Sequence, residues 1–310
     1  MRHTLDRRSF IGAGLGAAAL GLGVFVPQAG AASPRSTPSA TRLGEHLLLI
    51  TGAGGNIVAA RDGDGLLLVD GGTREAGPAA LQLALRTLGA RRAHTLINTH
   101  WHGDRTGLNE TLGKSGAKIL AHENTKLWLS TDVRYTPDGV PVKRLPPTAR
   151  PNTTTYGSGS LTLGDEEIHY GYLSQAHTDG DLYVKFMKAN VLVTGGVVAG
   201  KGWPTADWVT GGWITGTANG YRTLIEQCDE STRVVTANGT TVIAKQDLEA
   251  ERVIVADLST KLTQMLRKGL APADMLAAAP AKAYEAQYGD ATQFLTESFK
   301  SLWPRMAPDA

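Results

Sequence analysis

One cysteine, Cys228, stands in 310 residues, so the chain can form no internal disulfide. Excess charge is equally scarce: 31 basic residues face 29 acidic ones, a formal net charge of +2. Arg2, Arg7, Arg8 and Asp6 account for the surplus, and beyond residue 32 the two signs balance. No basic stripe runs along the chain, so neither nucleic acid nor an anionic membrane surface is an expected partner. Long apolar runs are missing too. The longest, Phe10 to Val26, is rich in Gly and Ala and poorly suited to a hydrocarbon core of about 30 Å, so no stable membrane anchor is expected. There is no H-E-x-x-H and no G-x-S-x-G. "TGAGGNIV" has Ile57 where a dinucleotide loop needs its third glycine, and "LGKSG" has Leu108 where a phosphate loop needs its first.

What is present begins at the N-terminus. "LDRRSFIGAGLGAAALGLGVFVPQAGAAS" pairs Arg7 with Arg8, follows them with Phe10 and a mild apolar run, and ends in small residues. Residues 1–32 read as a twin-arginine signal peptide cleaved after Ala31 or Ala32, which implies the twin-arginine export machinery as a partner and a periplasmic or secreted location. Such a route carries folded cargo. Residues 33–42, "SPRSTPSATR", read as a flexible leader, and 43–310 as the folded domain with a helical C-terminal tail.

Within that domain, short apolar runs bounded by Gly and Asp predict strands: "HLLLIT", "NIVAAR", "GLLLVDGG", "HTLINTH" and "AKILAH". Between them "REAGPAALQLALRTLG", closed by Gly89, and "ENTKLWLST" predict helices. From Asp132 to Thr155 the pattern lapses into a loop with five prolines, long enough to suggest a functional or mobile segment. Strands return in "SLTLG", "EIHYGYL", "LYVKFMK", "NVLVTGG" and "TRVVTANG". From Gln246 onward Leu248, Leu258, Leu262, Met265 and Leu266 form the apolar stripe of a helix ended by Gly269. Alternating strands and helices predict an α/β fold in layers.

The chemistry concentrates in "NTHWHGDRTG", Asn98 to Gly107. His100 and His102 are two apart, a spacing that no single helix face can use but a turn after a strand can. His177 in "SQAHTDGDLYV" sits on another inter-strand turn and is the candidate third ligand. Three imidazoles with an open fourth position are the donor set of a catalytic zinc, whose water ionises near neutral pH. His122 opens a helix and suits a packing or capping role. Asp70, at a strand end, reads as a backbone-capping residue. Lys201, Trp203 and Asp207 in "GKGWPTADW" are placed to line the mouth of the site.

"NTHWHGDRTG" resembles the first metal motif of the metallo-β-lactamase fold, H-x-H-x-D-H, and "AHTDGDL" is similar to its second. "GLLLVDGG" looks like its opening strand. The resemblance implies a four-layer αββα sandwich with metal at one edge between the sheets, and points to an exported subgroup with altered metal motifs. It also exposes departures. Arg105 stands where the first motif carries another His, Gly196 where a Cys or bridging Asp would stand, and Asn238 where a late His is usual. Of the donors that the family uses for a second ion, Asp104 alone remains. The expectation is therefore one zinc ion on His100, His102 and His177. Asp104 becomes the candidate general base. Arg105 is either an oxyanion or carboxylate contact or an ion-pair partner of Asp104. Lys201, Trp203 and Asn238 are the candidate contacts of a small-molecule substrate. The leading expectation is a hydrolase of an ester, lactone or amide, a β-lactam included, in which zinc-bound hydroxide attacks the carbonyl. The alternatives are a binding or partner protein that has lost the chemistry, and a zinc lyase or isomerase.

Overall fold

The computed structural model describes residues 37–136 and 139–306. The expected signal peptide and the first residues of the leader lie outside the described residues. Among the described residues no helix is long and apolar enough to cross a membrane.

The first sheet holds seven strands: β1 (Ser39–Arg42), β2 (Leu47–Thr51), β3 (Ile57–Asp62), β4 (Gly65–Val69), β5 (Arg92–Ile97), β6 (Lys118–His122) and β7 (Thr153–Thr155), in that spatial order. β1 to β4 pair antiparallel; β4 to β7 pair parallel. The second sheet runs β12 (Arg233–Val235), β11 (Val191–Val193), β10 (Asp181–Phe186), β9 (Glu166–Leu173), β8 (Gly159–Leu163). The helices are α1 (Gly77–Leu88), α2 (Gly103–Thr106), α3 (Asn109–Lys114), α4 (Glu123–Leu129), α5 (Ile214–Glu226), α6 (Lys245–Arg267), α7 (Pro272–Ala277), α8 (Glu285–Tyr288) and α9 (Thr292–Met306).

Strand periodicity of two distributes this chain's leucines and valines among three apolar layers. Leu48 and Ile50 of β2, with Leu66 and Leu68 of β4, face Ala80, Leu81, Ala84 and Leu88 of α1. Their neighbours Leu47, Leu49, Leu67 and Val69 turn the other way, meeting Val184, Phe186, Val191 and Val193 between the sheets. Leu192 and Val234 point out from the second sheet to Tyr221 and Leu224 of α5, Leu258 and Leu262 of α6, and Phe299 of α9. Both faces of both sheets are thus covered, which is why β2 and β4 read as unbroken apolar runs rather than alternating ones. The order helix, sheet, sheet, helix is the expected αββα sandwich.

Two expectations change. The leader is not flexible to its end: Ser39–Arg42 pairs antiparallel with β2, and Ala40 packs on the first apolar layer. An exposed edge strand carries little apolar signal, so the sequence gives it the look of a linker. The Pro-rich loop is also partly ordered. Val133 and Val142 form an isolated antiparallel bridge, and Thr153–Thr155 closes the first sheet as β7.

Candidate metal centre

The two histidine turns lie at neighbouring strand ends. β5 stops at Ile97, and the side chains of Asn98 and Asn109 exchange hydrogen bonds of 3.0 and 2.9 Å across the base of the turn that follows. Gly107 makes the close approach possible, since a Cβ there would stand 2.2 Å from the Thr73 carbonyl carbon. His177 occupies the turn between β9 and β10. The rings of His100, His102 and His177 have centroids 4.6 to 4.8 Å apart and meet edge to face. One ring nitrogen from each lies within 4.8 Å of the other two.

Partners of the outer nitrogens fix the inner ones. His177 Nδ1 is 2.7 Å from the Thr205 carbonyl oxygen, which can only accept, so Nδ1 donates and Nε2 carries a lone pair. His102 Nε2 donates to Asp207 Oδ2 at 3.0 Å, leaving the Nδ1 lone pair inside. Thr99 Oγ1 donates to Asp70 Oδ2 at 2.8 Å. It therefore accepts from His100 Nδ1 at 3.2 Å, which leaves His100 Nε2 inward. His102 Nδ1 and His177 Nε2 stand 3.0 Å apart, two acceptors with no proton assigned between them by their outer partners. Such a pair is unfavourable in itself and suits a shared cation. Outer hydrogen bonds that orient ligand imidazoles in this way are usual at metal sites. The donor set thus fits a zinc-type ion.

Electrostatics agree with neutral imidazoles at His100 and His177. Burial, then the nearby His177 and His102, hold His100 well below the usual histidine range. Burial, then His102, bring His177 down to about 4. Asp207 is pushed up by burial, but bonds from His102 and Thr210 together carry it below the usual carboxylate value. Thr210 Oγ1 donates to Asp207 Oδ2 at 2.6 Å and accepts from Trp101 Nε1 at 3.1 Å, so Trp101 braces the same carboxylate.

Arg105 fills the flank of this centre. Its side chain is 3% exposed; Nη1 donates to the Ala237 carbonyl at 3.0 Å, and Nη2 lies 3.0 Å from Asp104 Oδ2. Asp70 Oδ2 is 3.9 Å from the same guanidinium. The ion pair with Asp104 is present, and it leaves the Asp104 carboxylate about one-third exposed toward the cleft. Asp70 sits at φ 65° and accepts from the Thr99 backbone N–H and hydroxyl, each at 2.8 Å, a capping role as expected. Burial raises it to about 7 against the opposing pull of Arg105 and Thr99. Gly196 lies against the imidazoles: a Cβ there would be 2.3 Å from His177 Cδ2 and 2.8 Å from His100 Cε1. His122 caps α4, its Nδ1 accepting from the Asn124 N–H at 3.1 Å.

A cleft of about 560 Å³ opens over the histidines. Lys201, Trp203 and Asn238 all line it, as do Gln293 and Glu297 of α9. Lys201 and Asn238 are exposed, whereas Trp203 stacks on Phe294 at 4.7 Å. The Asn238 amide lies 3.2 Å from the Ala237 and Gly54 carbonyl oxygens, so its nitrogen faces them. Asp207 lines the cleft too, as expected, buried there as the acceptor of His102. Thr205, which holds His177, and the two α9 residues escaped notice because nothing local in "GWPTADW" or in the tail reports a partner so distant in sequence.

The family model of the metallo-beta-lactamase superfamily matches residues 50–244. The chain belongs to that superfamily. A metallo-beta-lactamase from Pontibacter korlensis is similar in structure, with a TM-score of 0.57, 15% identity, and 71% of this chain and 99% of that one covered. DIM-1 metallo-beta-lactamase gives 0.56 and 18%, over 71% and 97% of the two chains. The stereoselective inverting sec-alkylsulfatase Pisa1 from Pseudomonas sp. gives 0.63 and 15%, over 88% of this chain and about half (51%) of that one. That share exceeds what residues 1–244 amount to, so the likeness to the alkylsulfatase reaches into the C-terminal helices.

Proposed function

We propose that this chain is an exported, zinc-dependent hydrolase of an ester, lactone or amide, with one ion held by His100, His102 and His177. The supporting observation is the convergence of three imidazole lone pairs, each fixed by a hydrogen bond on the far side of its ring. An ion held there would supply Lewis acidity and an acidified water at neutral pH. The chain's residues do the rest. Asp104, exposed to the cleft, accepts the proton at its carboxylate. Arg105 acts on the site through Asp104, holding that carboxylate in place. Asp207, Thr205 and Thr99 keep the three imidazoles in the tautomers that ligation needs. Lys201, Trp203 and Asn238 contact the small-molecule substrate.

A single ion is the reading because, of the family's donors for a second one, Asp104 alone remains and is already paired with buried Arg105. Several similar structures are metallo-beta-lactamases and one is a sec-alkylsulfatase. β-Lactams, and sulfate esters beside carboxylic esters and lactones, are therefore the first substrates to screen. Metal analysis of native mature protein should return one zinc per chain, and hydrolysis should vanish in His177→Ala. Two ions per chain, or turnover that survives the substitution, would refute the reading. A chain that binds no zinc and whose melting is indifferent to chelators is instead a binding protein on the same scaffold. Export by the twin-arginine route rests on Arg7, Arg8 and the small residues before Ala32. N-terminal sequencing of exported protein should begin at Ala32 or Ser33.

A further inference from the structure

Both outer acceptors contributed by one loop, the Thr205 carbonyl for His177 and the Asp207 carboxylate for His102, lie between β11 and α5. That loop is aperiodic and carries no regular structure beyond a short turn at Trp208–Thr210. Its far side is gripped by the C-terminal helices, which lie beyond the family-model match at 50–244. Trp208 Nε1 donates to Glu297 Oε2 on α9. Arg305 Nη2 donates to the Gly211 carbonyl at 2.9 Å, and its guanidinium lies over the Trp213 ring at 4.6 Å. Ser301 Oγ accepts the Ile214 N–H at 3.2 Å. Trp203 stacks on Phe294 with rings 12° from parallel and donates to the Gly289 carbonyl at 3.0 Å.

We propose that α9 is a positioning element for the metal centre: by holding Trp208, Gly211 and Trp213, it fixes Thr205 and Asp207, and through them His177 and His102. Asp207 caps the loop's short turn at Trp208–Thr210, so the grip of α9 on Trp208 acts on the residue next to Asp207. Its carboxylate must meet His102, Thr210 and the Val209 N–H at once. A carboxylate bonded to three groups tolerates little displacement. Glu297 is 7% exposed, and Lys300 also pairs with it at 3.1 Å, so the Trp208 acceptor is itself held in place. Positioning of this kind differs from packing, since it predicts that ligand geometry responds to a bond lying two contacts away.

The proposal rests on the three-His metal reading and is tested with cobalt(II), whose visible spectrum reports ligand geometry. Glu297→Met keeps the side chain's length but not the acceptor. Trp208→Phe keeps the ring but not the donor. Glu297→Gln retains an acceptor and serves as rescue. Removal of a bond that orients a ligand costs about 10- to 100-fold in metal affinity at comparable sites. We expect cobalt affinity to fall about tenfold or more in the first two variants, with an altered spectrum and non-additive effects in the double variant, and to return toward wild type in Glu297→Gln. Val253→Ala, on the exposed face of α6, should bind as wild type. Folded Trp208→Phe with unchanged affinity and spectrum overturns the proposal, whatever Glu297→Met does to folding. So does a fall in metal-free melting temperature without any change in cobalt binding. Wild-type protein that takes up no cobalt overturns the metal reading itself and this proposal with it.

Discussion

Two adjacent regions of the cleft are built on opposite principles. At the histidine centre, each polar group is arranged to leave a lone pair unused and pointing inward. A few ångströms away, around Arg105, charge is matched from within: the guanidinium meets Ala237, Asp104 and Asp70, with only its Nε buried and unpartnered. The first region is poised for a cation from outside; the second carries its own. The contrast teaches that the set of donors is only half of what defines a metal site. A residue whose charge meets the neighbouring carboxylates stabilises the region, because buried Asp70 and half-buried Asp104 without a partner would be costly.

The contrast can be broken or sharpened by experiment. The largest effect is expected for His177→Ala, which should drop bound zinc from about one ion per chain to a small fraction by metal analysis, since two imidazoles hold zinc poorly. Next comes Arg105→Met. Removing the buried cation strands Asp70 and Asp104, and urea unfolding should show a loss of about 3–5 kcal/mol. A loss below about 1 kcal/mol would mean that Arg105 is not what stabilises the second region.

Acid should affect the first region more gradually. The His177 imidazole drops from 6.5 to about 4 on folding. In the metal-free chain the unfolded state therefore binds the proton first, and stability declines as pH falls from 6.5 to about 4. At roughly 1.4 kcal/mol per pH unit the decline approaches about 3 kcal/mol, with partial screening reducing it. Denaturation of chelator-treated protein across that window should show the slope, and His177→Ala should reduce it to the part that buried His100 contributes. An equal slope in the variant would assign it elsewhere. The smallest effect is expected for Gly196→Ala, whose Cβ must displace His177 or His100; overpacking of this kind costs about 1–3 kcal/mol. Zinc affinity should fall with it, and an unperturbed variant would show that the imidazoles have room to move.

Much of this was legible in the sequence because it is local or repetitive. The strands announced themselves as apolar runs, α1 by its composition and Gly89, and the ligands by the His100–His102 spacing. What escaped is non-local. The bond between His102 and Asp207 spans 105 residues, and that between Trp208 and Glu297 spans 89. Neither end of either pair carries a pattern that names the other. Arg105 was identifiable as a departure from the motif and Asp104 beside it as a partner, but Asp70 and Ala237 come from two distant segments. β1 was hidden for a different reason: an edge strand with polar outward positions has the composition of a linker.

The order of synthesis gives the grip of α9 on the β11–α5 loop a temporal meaning. The three ligands are complete once His177 has been made, yet Glu297, Ser301 and Arg305 arrive more than a hundred residues later. Contacts so far apart are slow to form, because the intervening chain must close first. A nascent chain can therefore present all its ligands while the loop that orients two of them is still unanchored. The last helix acts as a latch, and the centre reaches its final geometry only when the whole chain is there to close it.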